Sequence, residues 1–112
     1  MGLLSARQQR KAAEEARRQE FLAGVGGIDL LAHTFTPRAQ ERMHGAPLEI
    51  ARRQAKQLAD LCLAGWINEE QAQGQTPQEY ADRRFEAVFA QVDALPLMRA
   101  ATWYEERKRK RA

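Results

Sequence analysis

The sequence is short of the residues that usually carry chemistry. Among its 112 residues there is one cysteine, Cys62, so no intrachain disulfide can form and a reducing, cytoplasmic compartment is expected. There is one serine, Ser5, which leaves hydroxyl nucleophiles poorly supplied. The two histidines, His33 and His44, make no CxxC- or HxxxH-type ligand spacing with each other or with Cys62, so neither a metal nor any other cofactor is expected. Carboxylates occur as adjacent pairs, Glu14-Glu15, Glu69-Glu70 and Glu105-Glu106. Neighbours on a helix point about 100° apart and do not converge on one substrate. Gly24, Gly26 and Gly27 lie close together, but no Gly-Lys-Ser/Thr follows and no strand precedes, which excludes a phosphate loop. The expectation is a protein that is not an enzyme.

Long apolar runs are also missing. The longest, Leu61 to Ile67, falls far short of the roughly 18 residues that a membrane-spanning helix needs, so no membrane span is expected. The first residues carry no basic segment followed by an apolar one, as a secretory leader would. An acylation motif beginning at Gly2 would want Ser or Thr at position 6, where this chain has Ala6. β-branched residues are scarce and no stretch alternates apolar and polar residues for long, so strands are not expected.

The apolar content of 44% overstates the core, because 20 of those residues are alanine. Leu, Ile, Val and Phe together number only 21. With a net charge of +3 the chain still belongs among folded proteins, but with a thin core. Such a chain is expected to gain from a second copy or a protein partner that covers more of its surface.

Helix formers make up much of the remainder: Ala, Arg, Gln, Glu and Leu. A first, strongly charged helix is expected from about Leu3 to Ala23, opened by a Ser5/Gln8 capping box and supported by a Glu14–Arg18 pair. It has almost no apolar face before Phe21 and Leu22, so its first half should project from the fold. The stretch Phe21 to Phe35 reads as a buried connector or a short helix around Asp29 to His33. Thr36-Pro37 reads as an N-cap and first position of a short helix that Gly45 and Pro47 end. A weaker alternative, a helix-turn-helix across Pro37 to Lys56, conflicts with Gln40, Glu41 and His44 at places that should be apolar or small.

Two amphipathic helices should follow. Residues 47–67 carry Leu48, Ala51, Ala55, Leu58 and Cys62 at alternating spacings of three and four, with Leu61 and Trp66 alongside. Thr76-Pro77-Gln78-Glu79 combines an N-cap, a proline at the first position and a capping-box glutamate. It opens a helix over 77–94 with Ala81, Phe85, Val88, Val92 and Leu95 in line and Phe89 beside them. Joined by a short polar loop, the two should pair as an antiparallel hairpin. Leu95-Pro96 breaks the second, and a last helix is expected from Pro96 towards Arg109.

The charge is uneven. Arg107, Lys108, Arg109, Lys110 and Arg111 are five consecutive cations, and without them 13 basic residues face 15 acidic ones. Trp103 and Tyr104 precede them. Cations with aromatics suit a nucleic acid or an acidic partner. The same cations would also favour the negative end of a helix and pair with Glu105 and Glu106.

The expected fold is therefore all-α: a small bundle built on the 47–67 and 77–94 hairpin, with partly projecting terminal helices. Residues 1–23 would form the charged N-terminal helix, 24–106 the core domain and 107–112 the basic tail. The expected function is a non-enzymatic interaction or assembly protein, an adaptor binding itself or a larger protein. Its partner-helix seam would be Leu48, Leu58, Trp66, Phe85, Val88, Phe89 and Val92. The second reading is a nucleic-acid-binding accessory protein that uses Trp103, Tyr104 and Arg107 to Arg111. High alanine and arginine usage suggests a GC-rich bacterial, plasmid or phage genome.

Overall fold

The Ser5/Gln8 pair begins a helix as its sequence implies. In the computed structural model, which describes residues 5–68, 74–92 and 107, the Gln8 amide donates to Ser5 Oγ at 3.2 Å and the Ser5 amide donates to Gln8 Oε1 at 3.0 Å. Two amides that no intrahelical carbonyl can reach are thus satisfied. The helix, α1 (Ala6–Val25), ends at Gly26 in the left-handed conformation, whose amide donates to the Leu22 carbonyl. It begins at Ala6 rather than at the expected Leu3, because Ser5 is the cap, and it runs slightly past the expected Ala23, so Gly24 lies inside it rather than beyond its end. Arg18 pairs with Glu15 at 3.6 Å rather than with Glu14.

Residues 28–42 differ most from expectation. Instead of a connector and a short helix opening at Thr36, one continuous helix, α2 (Ile28–Arg42), contains Pro37 in its interior. Thr36 is not a cap: its hydroxyl donates back to the Ala32 carbonyl at 2.8 Å, and Thr34 does the same to Leu30 at 3.0 Å. Pro37 has no amide for the His33 carbonyl. Both residues lie on the exposed side, where water can serve that carbonyl. A proline inside a helix costs about 3 kcal/mol. Leu31 and Phe35 are fully buried from this helix, and each such side chain contributes roughly 1.5–3 kcal/mol, so burial wins.

The end of α2 is a Schellman motif: the His44 amide donates to Glu41 at 3.1 Å and the Gly45 amide to Gln40 at 2.9 Å. The left-handed position is filled by His44, at φ 58, where glycine is usual. Gln40 Nε2 donates to the Ala46 carbonyl at 2.9 Å and ties the turn to the next helix.

Helix α3 (Leu48–Asn68) buries Ala51, Ala55, Leu58, Cys62 and Trp66, much of the expected stripe, and also Gln54, Ala59 and Leu63. Helix α4 (Pro77–Gln91) starts at Thr76, whose Oγ1 accepts from the Glu79 amide at 3.1 Å and donates to the Glu79 carboxylate at 3.0 Å. It buries Tyr80, Ala81, Phe85 and Val88.

These four helices form an all-α bundle, and the described residues contain no strand. Helix α3 is central. It packs most extensively on α2, then on α4 and α1, so the expected 47–67/77–94 pair is present but is not the dominant contact. Near one end α3 and α4 meet through the Trp66 and Tyr80 rings, and at the other through Gln57, Leu61, Gln91 and Val92, which makes them antiparallel.

Aromatic side chains supply what the alanines do not. Phe21, Trp66 and Tyr80 form one cluster, with centroids 5.8 and 5.4 Å apart, and Phe35, Phe85 and Phe89 a second, at 5.1 and 6.0 Å. Two helical glycines let backbones approach these clusters. A Cβ on Gly24 would overlap the Pro77 ring, and one on Gly65 would lie 2.5 Å from the Tyr80 hydroxyl. At the C-terminal end of α3, Arg17 of α1 donates to the Trp66 carbonyl and lies over the indole, 5.7 Å from its centre. A cation there meets the negative end of the helix. The last helix expected from Pro96 lies outside the described residues apart from Arg107, which is helical and exposed.

Candidate interaction surface

The stripe residues proposed as a partner seam are divided by the fold. Leu58, Trp66, Phe85 and Val88 are in the chain's own core, each at most 4% exposed. A partner could reach them only by opening the bundle. Leu48, in the first turn of α3, is 47% exposed, and Phe89 and Val92 are half-buried at the rim of the core. Three of the seven seam residues are thus accessible, on two different parts of the molecule.

The rim has a definite shape. Leu61 and Val92, with Gln57, Asp60 and Gln91, line an open groove of about 500 Å³ between α3 and α4. A second groove, about 370 Å³, lies between α1 and α3 and is lined by Glu14, Arg18, Asp60, Leu63, Ala64, Ile67 and Asn68. Asp60 borders both, so the exposed side of α3 is a ridge between two depressions. Leu61 was legible as part of the apolar stripe. Its partial exposure was not, because it depends on how closely α4 approaches.

On another side of α4 the polar groups satisfy one another. The Arg38 guanidinium lies 4.0 Å from the centre of the Phe85 ring and Arg42 lies 5.3 Å from that of Phe89. Both arginines reach Glu86, at 3.9 and 3.2 Å. This cluster fastens α2 to α4 through cation–π and ion-pair contacts.

The residues that would carry chemistry have structural explanations. Ser5 is a cap. Burial pushes the Cys62 thiol up to about 12, with Arg84 opposing and Asp82 adding to the shift, so it stays protonated at neutral pH. His33 is exposed on α2 beside a small depression with Asp29, Ala32, Thr36 and Arg52, and His44 is exposed in a turn. Among the described residues no three His, Cys, Asp or Glu side chains gather as metal ligands would, and no helix is long and apolar enough to cross a membrane.

Of the basic-tail residues, Arg107 is the one described; Trp103, Tyr104 and Lys108 to Arg111 lie outside the described residues. Comparison of the chain with family models, with curated proteins and with solved structures returns no match.

Proposed function

We propose that the chain is a non-enzymatic interaction protein that assembles with its own copy or with a larger protein. The observation that carries this reading is the groove between α3 and α4, where Leu61 and Val92 remain partly open at the rim of the aromatic core. A helix presenting one or two aliphatic side chains fits such a depression, with Gln57, Asp60 and Gln91 as a polar rim. The non-enzymatic part rests on the structural roles of Ser5, Cys62 and His44.

The test compares the wild-type chain with a Leu61→Asp/Val92→Asp variant by light scattering and by capture from the native host. The reading expects wild-type self-association, or a defined set of captured proteins, to be lost in the variant while helicity is retained. Identical mass and identical captured proteins in both chains would overturn it.

A second reading, nucleic-acid binding through the C-terminal tail, is favoured by the five consecutive cations that begin at the exposed Arg107. Ending the chain at Glu106 should then abolish most binding to DNA or RNA, and unchanged affinity would remove the tail from the mechanism.

A further inference from the structure

The buried residues of helix α1 all lie in its second half. From Ser5 to Ala16 every residue is exposed, whereas Phe21 and Val25 are buried and Arg17 clasps α3. The eleven residues Ala6–Ala16 make an exposed rod of about 16 Å that meets the bundle at Glu14, on the edge of the groove against α3. Within it, Arg7, Arg10 and Lys11 are spaced i, i+3 and i+4 and so share one face. No acidic residue occurs between Ser5 and Ala13. None of these three cations has an ion-pair partner among the described residues.

We propose that this exposed first half of α1 is a contact for the phosphate backbone of duplex nucleic acid, with Arg7, Arg10 and Lys11 as the phosphate-binding cations. The features of the rod select among polyanions. An interfacial membrane helix needs a broad apolar face opposite its cations. Here the remaining positions are Ala6, Gln8, Gln9, Ala12 and Ala13, followed by Glu14, Glu15 and Ala16 at the end nearer the bundle, and none is a large apolar side chain. Docking in a protein groove needs large apolar anchors at i, i+3 or i+4, and the rod has none. Single-stranded nucleic acid is held largely by aromatic stacking, and the first aromatic residue is Phe21, which is buried. A straight, slender helix with cations on one face and amide side chains beside them matches a duplex, whose phosphates lie along a regular path.

This contact is distinct from both the groove and the C-terminal tail. It is tested with a labelled duplex of roughly 20 base pairs, as DNA and as RNA, titrated by fluorescence anisotropy over a salt series. Three chains are compared: the full chain, its Arg7→Gln/Arg10→Gln/Lys11→Gln variant, and the chain ending at Glu106. Glutamine is a good helix former, so the variant should keep its helicity, checked by circular dichroism. Releasing about 0.9 counterions per phosphate, the three cations should account for about 2.7 of the slope of log K against log salt. A variant with weaker binding and a slope reduced by that amount, on either duplex, supports the proposal. It is overturned if the variant matches the full chain, or if the full chain fails to bind either duplex at low salt. Binding lost only on ending the chain at Glu106 would overturn it while sparing the tail reading. Tighter binding of the full chain to phosphatidylserine vesicles than to the duplex would overturn it in favour of a membrane.

Discussion

The two halves of α1 share one helix and almost nothing else. Residues 17–25 lie on the bundle, bury Phe21 and Val25 and clasp the end of α3, whereas residues 6–16 are all exposed and border the bundle at Glu14. An isolated helix of that length is marginal in water. Its order comes from the Ser5 capping box at one end and the packed half at the other. Burial and charge are thus separated along the chain: what holds the fold is aromatic and central, and what is left exposed on the first half of α1 is polar and charged.

That separation predicts a steep gradient of mutational effects, measurable by urea unfolding followed by circular dichroism. The largest should be Phe85→Ala, because this ring is fully buried between Phe35, Phe89 and the Arg38 guanidinium. A loss of about 3–5 kcal/mol is expected. A cost under about 1 kcal/mol would mean the second aromatic cluster is not core.

Gly24→Ala tests where the packed half of α1 begins. In an exposed helix this change would stabilise by about 1 kcal/mol. Here the new methyl meets the Pro77 ring, and a net loss of about 1–3 kcal/mol is expected. A gain would show that α1 and α4 are not in close contact.

Gln54→Met should go the other way. Gln54 is fully buried and neither amide atom has a hydrogen-bond partner among the described residues. Replacing it with an apolar side chain of similar size removes an unsatisfied group and should stabilise by about 1–3 kcal/mol. A loss of stability would reveal a polar role for the amide.

His44→Gly should stabilise by about 0.5–1 kcal/mol, since it relieves a left-handed conformation at an exposed site and concedes some unfolded-state entropy. An unchanged midpoint would mean the Schellman turn is not formed in solution.

The smallest effect should be Ala12→Gly. It lowers helicity in the projecting half, but the global unfolding free energy should move by less than about 0.5 kcal/mol, because that half opens locally. A larger shift would erase the contrast between the two halves.

Much of the helical outline was legible in the sequence because it is written locally. Ser5/Gln8 and Thr76/Glu79 announce helix starts through side chains that reach only three residues, and Gly26 announces an end through its backbone freedom. The spacing of Ala51, Ala55, Leu58 and Cys62, and of Ala81, Phe85 and Val88, placed the core faces of α3 and α4. The same locality misled at Thr36-Pro37, where a competent start signal was overridden by the burial of Leu31 and Phe35 before it and Ala39 after it. The candidate site was less legible, because Leu58 and Leu61 look alike on the stripe and only the position of α4 makes one core and the other rim.

By itself, then, the sequence determined that this chain is helical, about where α3 and α4 begin, and that the first half of α1 has no apolar face to bury. These follow from hydrogen bonds and periodicities within a few residues. Only the tertiary structure decided that α2 runs through Pro37, that α3 takes α2 as its main neighbour, and that Gln54 and Tyr80 are enclosed while Leu48 is not. Those outcomes depend on which helices meet and how closely, and that is settled by the summed burial of residues far apart in the chain.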